Sequence, residues 1–138
     1  MNKCYLGLGS NQKYPERQIR QSLNQIKAFP HTILTKTSTM HWTKAWGLQR
    51  QQDFCNVVVE IITRLPPKAL LMLCNKTEQQ QQRRRLRKNG PRTLDIDILL
   101  YGNRRIKTKD LLIPHPRMHL RNFVLLPLLE LYPELSLG

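Results

Sequence analysis

The chain is short of acid. Its 138 residues hold 9 Asp and Glu against 23 Lys and Arg, a net charge of +14. That imbalance implies an anionic partner, which could be nucleic acid, an acidic membrane surface or a polyphosphate. Long apolar runs are missing too. No stretch approaches the length of a membrane helix, and the opening MNKCYLGLGSN lacks the apolar core of a signal peptide, so a cytoplasmic protein with no membrane partner is expected. Cysteine is scarce. Cys4, Cys55 and Cys74 are odd in number and show no CxxC spacing, which argues against a disulfide framework or a zinc knuckle and for small apolar residues in a reducing compartment. There is no internal repeat, and low complexity is confined to four glutamines at 79–82 running into Arg83, Arg84 and Arg85. Apolar content of 40% and charged content of 23% are those of a soluble globular protein, and the length fits a single domain spanning 1–138.

Periodicity then gives the elements. KCYLGLG (3–9) reads as a first strand, with Ser10 and Asn11 as turn or cap residues before a helix carrying Ile19, Leu23 and Ile26 at helical spacing. A strand is expected at 31–39 and a long polar and aromatic loop at 41–53; loops of that length usually act as lids or binding segments. FCNVVVEIIT (54–63) is rich in β-branched residues and reads as a strand. The segment 66–85 opens on proline and aligns Leu70, Leu73, Cys74 and Thr77 on one helical stripe. A strand over 93–101, a basic connection over 102–110 and a short helix toward the end of 116–131 complete the chain. The order β–α–β–β–α–β predicts an α+β, ferredoxin-like, mostly antiparallel sheet with helices packed on it.

Within GPRTLDIDILLYG (90–102), alternation puts Asp95 and Asp97 on one strand face and Leu94, Ile96, Ile98 and Leu100 on the other. Two carboxylates so placed can bridge one or two hard cations, since Mg²⁺ takes a couple of carboxylates and fills its shell with water and phosphate oxygens. The alternative is an exposed face where the acids meet nearby arginines. Arg83, Arg85, Arg87 and Arg92 lie just upstream. They are either a solvated basic helix end or a clamp for several phosphate charges. Acids and guanidinium groups together favour a polyphosphate–Mg²⁺ site. Phe54 and Asn56 share a strand face, a ring beside an amide, which suits the edge of a flat heterocycle if it is not simply a half-buried sheet face. Phe123 could close the other side of such a slot. His115 and His119 lack a third ligand for zinc, so a phosphate contact from His115 and a surface place for His119 are expected. GLGSN lacks the third glycine of a phosphate loop and reads as a strand end.

KNGPRTLDIDILLYG followed by IPHPRMHLRNFVLLPLLELYPEL, with GLGSN, FCNVVVEI and Glu78 five residues before Arg83, resembles the 6-hydroxymethyl-7,8-dihydropterin pyrophosphokinase family along nearly the whole chain. The resemblance implies a ferredoxin-like enzyme of folate biosynthesis that moves the β,γ-pyrophosphoryl group of ATP to the pterin hydroxymethyl and releases AMP. It implies that Asp95 and Asp97 bind two Mg²⁺ ions, and that Arg83, Arg85, Arg92, His115 and Arg121 contact phosphates, with Arg83 and Arg92 nearest the transferring group. Leu70, Asn75, Glu78, Ile98, Leu111 and Leu112 would border ATP. Phe54 and Phe123 would sandwich the pterin, while Asn56 and the backbone around 43–47 (Thr43, Ala45 and Trp46 among it) would read its edge. The implied partners are two small molecules, with no nucleic acid and a monomeric chain. The rival from composition is a basic RNA-binding module, which leaves two aspartates on a strand unexplained.

Overall fold

The two faces of strand β1 (Asn2–Ser10) differ in kind. Cys4, Leu6 and Leu8 are buried on one side, while Tyr5, Gly7 and Gly9 take the other. The chain is described by a computed structural model over residues 1–11, 14–43, 53–83, 94–116 and 122–135. β1 runs antiparallel between β4 (Phe54–Thr63) and β5 (Leu94–Tyr101), and β2 (Thr32–Thr37) pairs antiparallel with β4, giving the order β2-β4-β1-β5. With α1 (Pro15–Lys27) after β1 and α2 (Pro67–Arg83) after β4, this is the ferredoxin-like arrangement.

Three local readings need correction. The expected loop at 41–53 begins with a strand, β3 (His41–Thr43), which pairs with the first residues of β4; its rest, 44–52, lies outside the described residues. Three residues are too few to show a period, and their strand state comes from a partner eleven or more positions away. Ser38 makes the kink before it: its N–H donates to Val58 O at 2.8 Å, and its hydroxyl accepts from Val58 N–H at 2.9 Å. The basic connection at 102–110 carries a strand, β6 (Ile106–Lys107), which pairs with β7 (Leu112–Ile113) just beyond it. Ser10 and Asn11 do not cap α1. Pro15 fixes the first helical turn and Tyr14 is the cap position, while Ser10 closes β1 and its hydroxyl donates to Gln18 of the helix.

The first sheet face packs on α1 and α2. Ile19 and Ile26 from α1, Leu70 and Cys74 from α2, and Val57, Val59 and Ile61 from β4 form one core with Leu6, Leu8, Leu94, Ile96 and Ile98. Each such side chain contributes about 1.5–3 kcal/mol relative to exposure. Burial pushes the thiols of Cys4, Cys55 and Cys74 up to about 12, 11 and 12, so they serve as small apolar groups. The second face is covered at one end by α3 (Asn122–Leu131), whose Leu128 and Leu131 pack on Tyr5, Val58, Leu99 and Leu100. Leu100 is thus on the opposite face from the one strict alternation predicts. A bulge between Tyr5 and Leu6 pairs Tyr5 with Leu100 but Leu6 with Ile98, leaving Leu99 as the extra residue. Leu99 and Leu100 both turn to α3.

At that end of the sheet Glu60 is buried. Its carboxylate accepts from Tyr5 Oη (2.6 Å) and Thr35 Oγ1 (2.8 Å). Burial alone would raise its pKa, but the two hydroxyls and the nearby Lys36 and Lys3 together hold it below the usual carboxylate range. A group lowered in the fold lends stability above its unfolded value near 4.5 and loses it as pH falls through the folded value. Glu60→Gln should therefore melt lower than the parent chain at pH 7, by about 1–3 kcal/mol, with the gap closing in melts below that range. An equal gap at every pH would refute the charge argument.

Candidate active site

On the second face, beyond the part α3 covers, the described residues leave the sheet open. A cavity of about 630 Å³ opens there, with Gly7 and Gly9 as its floor, Phe54, Asn56 and Thr43 to one side, Asp95 and Asp97 to the other, and Phe123 of α3 at its edge. The register puts Gly9 between Asn56 of β4 and Asp95 of β5, with Asp97 opposite Gly7. Position 9 leaves no room for a larger residue beside an unmoved Asn56: a Cβ there would stand 2.9 Å from Asn56 Oδ1. The LGLG alternation carries this signal, apolar inward and bare outward, although read as a loop motif it says nothing. The Asn56 amide is nearly buried and oriented, its Nδ2 donating to Thr43 Oγ1 at 3.1 Å and to the His41 carbonyl at 3.2 Å.

Asp95 and Asp97 are exposed on one face of β5 while Leu94, Ile96 and Ile98 are buried on the other. The peptide between the acids is held from outside: Ile96 N–H donates to Glu78 Oε2 of α2 at 2.7 Å. Partial burial pushes Glu78 up to about 6; this bond opposes the rise, and the charges of Asp95 and Asp97 add to it. An acid raised in the fold binds its proton there at pH values where the unfolded chain has lost it, so stability falls as pH rises from about 4.5 through about 6. Glu78→Gln keeps an acceptor for Ile96 and removes the charge. It is expected to melt higher than the parent at pH 8 and equally at pH 4. Melts that differ by the same amount at both values would contradict it.

A second cavity, about 380 Å³, meets the first at Asp97, which lines both. Asn75 and Glu78 of α2, Ile98, Leu111, Leu112 and His115 line it. The backbone at His115 is tied to β5, its main-chain N–H donating to Leu99 O at 3.0 Å. Leu70, expected at this border, is instead wholly buried in the core, and Leu71 is the side chain of that turn that reaches the cavity. A helical stripe predicts which residues pack inward, and position 70 lies on that stripe. Lys109 also lines this cavity and brings a cation that the sequence reading did not single out. Arg83 closes α2, its side chain outside what is described; Arg85, Arg87, Arg92, His119, Arg121, Ala45 and Trp46 lie outside the described residues.

Among the described residues no three His, Cys, Asp or Glu side chains cluster as a metal cage, and no helix is long and apolar enough to cross a membrane. Asp97, one of two acids on this strand face, thus joins a slot lined by Phe54 and Phe123 to a second cavity.

Comparison with known proteins gives concordant results. The family model for 7,8-dihydro-6-hydroxymethylpterin-pyrophosphokinase matches residues 5–133. The chain is 44% identical over 137 residues to the 2-amino-4-hydroxy-6-hydroxymethyldihydropteridine pyrophosphokinase of Haemophilus influenzae, covering 99% of this chain and 86% of that one. It is 41% identical over 135 residues to the protein of the same name from Bacillus subtilis, covering 98% and 81%. A crystal structure described as HPPK-DHPS in complex with substrates superposes with a TM-score of 0.72 at 16% identity; the match covers 98% of this chain and 40% of that one, and supports the fold. The chain belongs to the 7,8-dihydro-6-hydroxymethylpterin-pyrophosphokinase family.

Proposed function

We propose that the chain transfers the β,γ-pyrophosphoryl group of ATP to 6-hydroxymethyl-7,8-dihydropterin, releasing AMP, as a step of folate biosynthesis. The observation that carries this reading is Asp97, which lines both cavities. The reaction needs a flat heterocycle and a triphosphate brought to one point of charge neutralisation. The pterin lies in the slot between Phe54 and Phe123 with Asn56 and Thr43 at its edge. The nucleotide lies against Asn75, Glu78, Ile98, Leu111, Leu112 and His115, and Arg83, Arg85, Arg92 and Arg121 supply guanidinium contacts to its phosphates.

The donor set suits magnesium. Two carboxylates on one strand face, with no third acid, histidine or thiol clustered beside them among the described residues, leave most coordination positions to water and phosphate oxygens. Asp95 and Asp97 would hold the ions, two by family resemblance. Bound there, magnesium neutralises the triphosphate and lowers the pKa of a coordinated hydroxyl. The chain's own residues do the rest. The slot aims the hydroxymethyl oxygen at the β-phosphorus; that O–P bond forms as the bond from the β-phosphorus to the α–β bridging oxygen breaks, and the bridging oxygen leaves with AMP. The hydroxyl proton passes to water. No side chain in the described site is placed as a dedicated base, and for a loose transition state positioning and cationic stabilisation suffice.

The test is to mix the protein with ATP, Mg²⁺ and hydroxymethyl-dihydropterin and separate the nucleotides. AMP formed only when the pterin is present supports the reading. Pyrophosphate release marks a nucleotidyltransferase, ADP release an ordinary kinase, and either outcome refutes it.

A further inference from the structure

α3 carries Phe123 in its first turn and Glu130 in its last, and Glu130 reaches the kink that leads into β3. One oxygen of its carboxylate accepts from Thr39 N–H at 2.8 Å; the other accepts from Thr39 Oγ1 at 2.8 Å and lies 3.5 Å from His41 Nε2. The Thr39 hydroxyl is also 3.2 Å from that ring nitrogen. These contacts span 91 residues of sequence and join two walls of the slot. On the strand side, the His41 carbonyl and the Thr43 hydroxyl are the acceptors that orient the Asn56 amide. On the helix side, the same α3 sets where Phe123 stands. The Thr39 hydroxyl, more than any other neighbour, keeps the carboxyl of Glu130 below the usual range, so it is an anion across the neutral pH range where the enzyme would work.

We propose that Glu130 is a positioning residue for pterin recognition: its carboxylate, bonded to the Thr39 backbone and hydroxyl beside His41, locks α3 to β3 and so fixes the separation of Phe123 from Asn56 and Thr43. The inference rests on the proposed reaction. It assigns a role to a residue that lines neither of the two cavities. The nucleotide cavity lies on the far side of Asp97, and among the described residues its lining includes none of Thr39, His41 and Glu130, so the effect falls on one substrate.

Glu130→Ala is expected to raise the KM for the pterin about ten-fold, the usual scale for loss of a group that orients a ligand-contacting one, and Thr39→Ala, which keeps the backbone N–H bond to the carboxylate, about five-fold, the scale of one hydrogen bond. The KM for ATP and kcat at saturation should stay within about two-fold, a split that a general loss of packing would not produce. Thr39→Ser, which keeps both bonds, should restore the parent value. The double Ala variant should be no worse than Glu130→Ala alone, because the Thr39 hydroxyl acts through that carboxylate. Equal increases in both KM values, or an unchanged pterin KM in a variant with a parent-like melt, would overturn the inference. Should Glu130→Ala fail to fold, the Thr39→Ala and Thr39→Ser pair decides by the same criteria. The parent chain is assayed alongside: if it makes no AMP, the assigned reaction fails and this inference with it, whereas AMP from the parent with indifferent variants refutes the inference alone.

Discussion

Asp97→Ala is expected to cut AMP formation at least about a thousand-fold, roughly 4 kcal/mol of transition-state stabilisation, while the protein stays folded. The two halves of this expectation have separate physical sources. Asp97 is exposed on the open face of an edge strand, and the residues that hold β5 in the sheet are Leu94, Ile96 and Ile98 on the other side. Removing the side chain opens no core cavity, and it relieves the repulsion between two acids two positions apart. The substrate-free variant should therefore melt at or slightly above the parent temperature. What disappears is the means of tolerating a triphosphate next to Asp95. The parent should be stabilised by Mg²⁺ with ATP, as any protein is by a ligand that binds only its folded form, and the variant should not. A folded variant that retained a tenth or more of the parent rate would remove the assignment of Asp97 as a metal-holding residue.

Much of this site is legible in the sequence because a strand converts spacing directly into faces. The acids at 95 and 97, and the ring and amide at 54 and 56, needed only the period of two, and β4 begins and ends where its β-branched run does. The same rule fails at Leu100. The extra residue is set by how β1 pairs with β5, and nothing within LDIDILLY marks it. β3 fails for a related cause, since its three residues become a strand only by pairing with Phe54, Cys55 and Asn56. The exchange of Leu71 for Leu70 shows the limit of a helical stripe, which identifies the buried side but not which flanking residue reaches round to a neighbouring cavity. Glu130 and Thr39 were invisible for a stronger reason. An exposed acid at the end of a helix and a threonine between two strands are commonplace, and only the fold brings residues 91 positions apart into contact.

Gly9→Ala is expected to raise the KM for the pterin about a hundred-fold, the scale on which a displacement of roughly 1 Å acts in an oriented site. A Cβ at this position would lie 2.9 Å from Asn56 Oδ1 and 3.9 Å from the Phe54 ring, so one methyl group crowds the amide proposed to read the heterocycle and makes only ordinary contact with the ring. The backbone at Gly9 is not left-handed, and alanine is no worse than glycine in a strand, so the fold loses little. The Asn56 side chain must therefore yield. Its Nδ2 is held by Thr43 Oγ1 and the His41 carbonyl, and an amide rotated to clear the methyl gives up one or both bonds. Gly7 provides the control within the same floor. A Cβ there meets the Leu99 side chain at 3.4 Å, so Gly7→Ala should stay within about three-fold of the parent for either substrate, as an ordinary van der Waals contact allows. Varying the pterin and ATP separately, with thermal melts on each variant, distinguishes the cases. Equal behaviour of the two alanine variants would mean that the Asn56 amide does not read the substrate edge, and the slot would need another occupant.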